Sequence, residues 1–424
     1  MANIVLKGNT SGSITIASPD VSGVNVLTLP VETGTILTTN TPLPEVSSVE
    51  FAGAGTSSGN ITITAPDTDE TNTLTFPETT GTFATENSLG MRNLIINGNM
   101  AIAQRATSIT GITSAGYYTC DRWNMSNTTA GTWTQTQDTD VPTGQGFASS
   151  LKLDCTTADA SLAAGDQLGL ETRLEGLNCQ QLEYGTATAK STTLSFWVKS
   201  NKTGVYTFEY FQSDSSRSIS QTYTISVADT WEKKTITIDG DTSGIINNDN
   251  GLGLLAKWWL AAGTSWSSGT LATSWATLSN PNRVSSSNVN LADSTSNYIN
   301  VTGVQLEVGT TATPFENLQY GQQLALCQRY YERIVNTVAQ SLLGDTYANT
   351  AGSPVPTINV SFKQTKRAAP TMALVGTFTQ VNTAGGQNIF AAENTMSAFY
   401  LTAAVGRAYF FPLANSGWSA DSEL

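Results

Sequence analysis

The sequence predicts an all-β protein: N-terminal β-meander repeats, a central jelly-roll sandwich, a short helix and a small C-terminal β domain. Three observations carry this. Only 12% of the 424 residues are charged, while 39% are hydrophobic and nine are Trp. Thr, Ser, Asn, Val and Ile dominate, which suits strands joined by polar turns and is unlike a charge-rich disordered chain. Apolar and polar residues alternate over long stretches, as in Thr193 to Val198 and Lys234 to Ile238. Helical spacing is clear only after Pro314. At this length two to four domains are expected; the boundaries read as 1–90, 91–316, 317–332 and 333–424.

The same composition excludes some chemistry. There is no His, so His-based triads and His-ligated metal sites are ruled out in this chain. Cys120, Cys155, Cys179 and Cys327 form no C-x-x-C pair, which argues against zinc and for free, buried thiols. A net charge of −13 repels nucleic acid and anionic headgroups. The N-terminus shows no apolar signal core, and the longest apolar run, Leu252 to Ala262, is too short to span a bilayer and contains Lys257. A soluble protein made in a cytosol is expected, with no nucleic-acid partner and no membrane insertion.

The first domain contains an ungapped repeat. Gly8 to Asn40 aligns with Gly55 to Asn87 at an offset of 47, and about half of the aligned positions are identical. Each copy holds three short alternating runs, a small meander. One such unit buries too little apolar surface to offset the entropy of ordering its residues, so its core is expected to be shared with other chains. The linker Thr41 to Glu45 is stiffened by two prolines.

The second domain opens at Asn93 to Arg105 with an Asn97-Gly98 turn. Strands are predicted over Ser149 to Asp154, Thr192 to Ser200, Val205 to Gln212, Gln221 to Val227, Trp231 to Ile238 and Asn297 to Val308. Many strands with few helices indicate a two-sheet jelly-roll. Leu162 to Tyr184 reads as a short helix or a covering loop. Gly309 to Pro314 breaks the last strand, and Leu318, Leu324, Cys327, Tyr331 and Ile334 then recur at helical spacing. The seam Leu324, Cys327, Tyr331 suits a trimer contact, or a helix docked on one sandwich edge; the inter-chain reading is preferred. Tyr330 to Val335 suits equally the first strand of the next domain. That last domain is read as a small β-sandwich or sheet with strands over Arg333 to Leu343, Pro356 to Phe362, Thr371 to Thr379, Ala398 to Val405 and Arg407 to Pro412.

Several of these stretches resemble a known family. The repeat pattern around Ile14 to Ile16 and Ile61 to Ile63, closing on Pro30 and Pro77, resembles the repeat of bacteriophage tail-fibre proteins. Asn93 to Arg105 (NLIINGNMAIAQR) with Tyr117 to Trp123 (YYTCDRW) resembles the start of a phage fibre module. Val301 to Glu316 with Leu324 to Ile334 resembles its end, and Phe362 to Leu374 and the closing Gly417 to Leu424 resemble fibre C-termini. The resemblance implies a virion appendage: an N-terminal end held by a virion tail or adaptor protein, a homotrimeric shaft, and distal β domains that meet a host surface polysaccharide. It also implies a jelly-roll similar to carbohydrate-binding ones and virion localisation after assembly in the bacterial cytoplasm, and it supplies no catalytic residues to carry over.

Candidate sites follow from residue chemistry. Trp258, Trp259, Trp266 and Trp275 form the richest aromatic cluster; a pyranose stacks its apolar face on a flat ring, although such rings also serve as core. Trp258 and Trp259, adjacent on a strand, point to opposite faces. Hard cations want several oxygens on a tight turn, which singles out Asp138 with Asp140, Asp239 with Asp241, and Asn247 to Gly251, each equally readable as a polar turn. No cofactor is expected beyond the structural calcium that the carbohydrate-binding likeness allows. Glu171, Glu175, Glu183 and Glu209 are the acids a glycan-cleaving enzyme would draw on. Arg122 reads as half of a buried pair with Asp121. The expected function is non-enzymatic host attachment by a trimeric fibre through surface glycan. The alternatives are a fibre that mainly contacts other virion proteins, and a glycan depolymerase.

Overall fold

In the computed structural model the described residues are Ile4–Lys7 (β1), Ser13–Ile16 (β2), Ser48–Ala52 (β3) and Asn60–Thr64 (β4), then 91–335, 344–348, 350–352 and 358–424. The chain divides into two compact units, Met1–Thr82 and Phe83–Leu424. In the first unit β1 and β2 form an antiparallel hairpin that sets Ile4 opposite Ile16 and Leu6 opposite Ile14. At the second repeat β3, which precedes it, pairs with β4 likewise, Val49 opposite Ile63 and Phe51 opposite Ile61. Of the runs within the two copies only Ser13–Ile16 and Asn60–Thr64 are described; the later runs of each copy and the Thr41 to Glu45 linker lie outside the described residues.

The second unit is all-β and opens with a sandwich. Its strands are Ser108–Tyr117 (β5), Asn124–Asp138 (β6), Ser150–Thr157 (β7), Gln167–Glu175 (β8), Thr192–Ser200 (β9), Gly204–Gln212 (β10), Arg217–Ile225 (β11), Glu232–Ile238 (β12), Leu252–Ala262 (β13), Ala276–Thr277 (β14) and Tyr298–Val308 (β15). They hydrogen-bond in the order β12-β9-β15-β7-β6-β8-β13-β10-β11-β14, with β5 beside β6. Most consecutive strands from β7 to β13 alternate between the two halves of this order, which is jelly-roll wiring.

One strand makes the fold possible. The first half of β6 pairs with β8 and the second half with β7. Between them Asn127 Oδ1 accepts the Ala130 amide at 3.1 Å, and Thr129 and Gly131 take φ of 55° and 77°. A Cβ on Gly131 would stand 2.6 Å from the Thr157 carbonyl oxygen, so only glycine fits there. The sheet folds over at this kink, and its two halves close on one core. Leu194, Phe196 and Val198 of β9 meet Trp258 of β13 and Tyr223 of β11; Phe196 packs edge-on against both, with centroids 5.7 and 5.2 Å away.

Two expectations are corrected here. Leu162 to Tyr184 is neither helix nor simple loop: it holds β8 and two short 3-10 turns, Gly176–Asn178 and Gln180–Leu182. Both faces of β8 are covered, so its charged residues sit in buried pairs and mark no solvent side. The helix is Tyr320–Gln328, shorter than 317–332. It lies after the four-residue helix Thr264–Ser267 (α1) in sequence and is α2. Gln319 and Gln322 form a capping box at its start. Tyr331 already belongs to a strand, Tyr331–Val335 (β16).

The tip has three three-stranded sheets around one small core. Gly344–Ala348 (β17), Ile358–Ser361 (β18), Thr371–Val375 (β19), Phe378–Val381 (β20), Thr383–Ala391 (β21), Thr395–Thr402 (β22), Gly406–Pro412 (β23) and Gly417–Asp421 (β24) pair as β16-β24-β19, β17-β23-β20 and β18-β22-β21. Met396, Tyr400, Phe410 and Trp418 fill the centre. Residues 336–343, the far part of the predicted strand Arg333 to Leu343, lie outside the described residues.

The stretches that resemble the phage fibre module meet in space. Asn93 bridges β15, donating to the Val304 carbonyl at 3.0 Å and accepting the Leu306 amide at 3.0 Å. Gln104 reaches the Tyr331 carbonyl at 2.7 Å. Arg105 stacks on Tyr331 and pairs with Asp421 at 3.0 Å; Arg122 stacks on Tyr330 and pairs with Glu423. Arg122 is therefore a buried structural ion as expected, but its partner is Glu423 and not Asp121.

Candidate functional site

The outer face of the β12-β9-β15-β7 half carries an open cleft of about 440 Å³. It is built by alternation. With Leu194, Phe196 and Val198 in the core, Ser195, Trp197 and Lys199 of β9 face outward. Lys233 of β12 and Thr302 of β15 stand directly opposite Trp197 on either side. Next to Thr302 the strand bulges at Gly303, with φ 61°. A Cβ there would stand 2.5 Å from the Phe147 ring, so the glycine makes room for that side chain to lie over the sheet.

The second wall is the returning chain after β15. Glu307 accepts the Thr313 amide at 2.8 Å and the Thr313 hydroxyl at 2.6 Å; Gln305 accepts the Glu316 amide at 2.7 Å. Arg92 donates to Thr313 Oγ1 at 2.9 Å. These bonds pin 312–316 across the sheet and hold Phe315 edge-on to Phe147, centroids 5.1 Å apart. Half-buried Trp197 thus lies between an aromatic wall and a rim of Gln145, Lys233 and Asn317.

Trp197 stands apart among the nine tryptophans. Seven donate their indole N–H to a protein acceptor. Trp258 is sealed in the core. Only Trp197, among the described residues, combines an open ring face with an N–H that no protein group accepts.

The tryptophans singled out from sequence are placed otherwise. Trp258 and Trp259 do point to opposite faces, yet they are 1% and 0% exposed. Trp258 fills the core, and Trp259 is roofed by 263–290, with Trp266 at 5.7 Å and its N–H on Glu209 at 2.8 Å. Neither can stack on a ligand from solvent as placed. Trp266 and Trp275 are half-buried; Trp275 stacks on Tyr210 and donates to the Asp239 carbonyl at 2.7 Å. The four do not form one platform.

The acids are likewise dispersed. Glu209 takes Arg283 in a fork at 2.7 and 3.0 Å, Glu175 takes Arg329 at 2.7 Å twice, and Glu171 takes Arg173 at 2.5 Å. All three are buried, whereas Glu183 is on the surface beside Lys190. Beside them Lys257 is fully buried, over the Trp259 ring at 3.9 Å, and burial pushes its ammonium down to about 8. None of these carboxylates lines the cleft.

Of the expected cation ligands, Asp140 holds Lys199 at 2.7 Å and the Trp231 N–H at 2.9 Å, and Asp241 holds Arg217 at 2.7 Å. Asp138 accepts the Asp140 amide, and Asp239 the Ser191 hydroxyl. Among the described residues no three His, Cys, Asp or Glu side chains converge as a metal site. Of the seam read as a trimer contact, Cys327 and Tyr331 are buried within this chain and Leu324 keeps partial exposure. The four cysteines are free and buried, and burial pushes the Cys120 and Cys179 thiols up to about 12.

No family model matches the sequence, and no curated protein matches it. Among solved structures, the chain is similar to the enzymatically active domain of tailspike protein 4 of bacteriophage CBA120, at 12% identity and a TM-score of 0.26, over 51% of this chain and 21% of that one. It is similar to a putative sugar binding protein from Bacteroides thetaiotaomicron, at 13% identity and a TM-score of 0.30, over 51% of this chain and all of that one. TmCBM61, solved with β-1,4-galactotriose, aligns at 8% identity and a TM-score of 0.26, over 52% of this chain and all of that one. This chain thus spans about a fifth of the tailspike's length, and the functional reading rests on the cleft's own chemistry.

Proposed function

We propose that this chain binds glycan in the cleft over Trp197, and that it serves as a non-enzymatic, homotrimeric phage fibre attaching a virion to a host surface polysaccharide. The observation that carries the binding reading is the open face of Trp197, framed by Phe147 and Phe315 and edged by amide, hydroxyl and ammonium groups. A sugar presents an apolar face to an aromatic ring and hydroxyls to polar groups around it, and this cleft offers both. Among the described residues the cleft lining carries amides, hydroxyls and an ammonium, the groups a binding site offers a sugar. The fibre role rests on the sequence resemblance, whose motifs are the pieces that lock sandwich to tip.

An array of bacterial surface polysaccharides probed with the full chain tests the binding reading. Trp197→Ala should weaken binding about five- to a hundredfold, because it removes the stacking surface, a loss of about 1–3 kcal/mol for an aromatic contact. Binding that survives both Trp197→Ala and Phe315→Ala overturns the assignment. A second reading, a fibre that mainly contacts other virion proteins, would place one of them on the apolar surface of the tip, where Phe390 is 65% exposed, if copies of this chain do not cover it. Capture of a tail or capsid protein by a chain that binds no glycan would establish it.

A further inference from the structure

Resting on the cleft reading above, we propose that the cleft selects anionic saccharides, those bearing a uronate carboxylate or a phosphate, and that Lys233 is the selecting residue. The chain carries a net charge of −13, yet among the described residues the charged side chain lining this cleft is a cation. The lysines around it are committed: Lys199 to Asp140 at 2.7 Å, Lys152 to Asp154 at 2.9 Å and Lys234 to Glu232 at 2.5 Å. Lys233 is exposed and, among the described residues, has no carboxylate partner. Its position is specific. Directly opposite residues on neighbouring strands have Cβ atoms about 5 Å apart, so the Lys233 stem rises beside the Trp197 ring. A sugar stacked on the indole therefore brings a ring substituent within reach of the ammonium. Lysine acts as a point charge on a flexible stem and accepts carboxylate or phosphate alike. A lone cation in a cleft of a negative chain also concentrates anions there against the background field.

The test uses the full chain at low salt with soluble polygalacturonate, its methyl-esterified form, and a phosphorylated mannan beside its dephosphorylated form. The wild type should bind at least one charged polymer about three- to fivefold more tightly than its uncharged counterpart, the range of an exposed ion pair. That ratio should fall to about one in Lys233→Gln and in high salt, and persist in Lys233→Arg. Preference for the uronate pair alone or the phosphate pair alone assigns the anion, and preference in both assigns charge in general. Equal affinity for charged and uncharged forms overturns the inference and leaves the cleft reading standing, as does binding of uncharged polymers alone. Affinity unchanged by Trp197→Ala, or no binding of any glycan, overturns the cleft reading and this inference with it.

Discussion

Asp121 is a buried acid at the joint between sandwich and tip. It is 1% exposed and accepts the Gln104 amide at 3.0 Å and the Gln104 side chain at 2.5 Å, with Arg105 at 3.9 Å. Burial is the larger influence and pushes its carboxyl up to about 6, against those hydrogen bonds and the Arg105 charge. A carboxyl whose folded value exceeds its unfolded value of about 3.9 stays protonated longer in the native state, so its contribution is full below about pH 4 and lost as the pH rises through 6. The difference is of order 2–3 kcal/mol. Denaturant melts of wild type and Asp121→Asn between pH 4 and 7 should therefore diverge: the wild type loses stability relative to the variant as the pH rises. Parallel curves would show that Asp121 ionises normally.

At the scale of elements, Gly303 ties strand geometry to the cleft. Gly303→Ala places a Cβ at φ 61° and 2.5 Å from Phe147. It should cost about 1–3 kcal/mol of stability and displace Phe147 from the wall, weakening glycan binding in the same variant; a calorimetric melt and the array read the two effects. The strands around this bulge were largely legible. The sequence-predicted strand Thr192 to Ser200 matches the observed one because apolar Leu194, Phe196 and Val198 face the core while polar Thr193, Ser195 and Lys199 share the other face, which makes the alternation visible. β8 is not read as a strand from sequence, because its acids pair with arginines where solvent would otherwise be, and β13, read as a strand only through Trp258 and Trp259, is buried on both faces and shows no alternation. Trp197 was hidden for a related reason. Four tryptophans crowd residues 258–275, while the signal that finds the cleft is subtler: adjacent Phe196 and Trp197 on one strand point to opposite faces, so when Phe196 fills the core Trp197 leaves it. That Phe147 and Phe315 join Trp197 depends on loops returning over the sheet, which spacing along the chain does not encode.

At the scale of the whole second unit, the resemblance-bearing motifs act as a clasp. Arg122 is 1% exposed and held between the Tyr330 ring and Glu423, and Arg173 donates to the Leu424 carbonyl. Glu423→Ala leaves the Arg122 guanidinium buried without its counter-ion, which costs about 3–5 kcal/mol; a tip melting separately from the sandwich in a calorimetric scan is the expected readout. The sequence motifs marked these residues, but their pairing across some 300 positions was visible only in three dimensions. What the clasp leaves uncovered bears on assembly. Phe390 and Phe399 stack at 5.9 Å on the outer face of β21 and β22, with Leu401 beside them at 37% exposure, while Met396, Ala398 and Tyr400 fill the inner face. A stacked aromatic pair with an exposed leucine on a sheet face is costly in water, and two further copies of this chain are the occupants the fibre reading supplies. The thin hairpins of the first unit make the same demand, since two strands alone are marginal in water. Sedimentation equilibrium of the full chain should therefore give three times the chain mass, and Phe390→Asp with Leu401→Ser should shift it toward the monomer without changing the far-ultraviolet dichroism. A wild type that sediments as a monomer at micromolar concentration would exclude the trimer and leave the apolar face to a different virion protein.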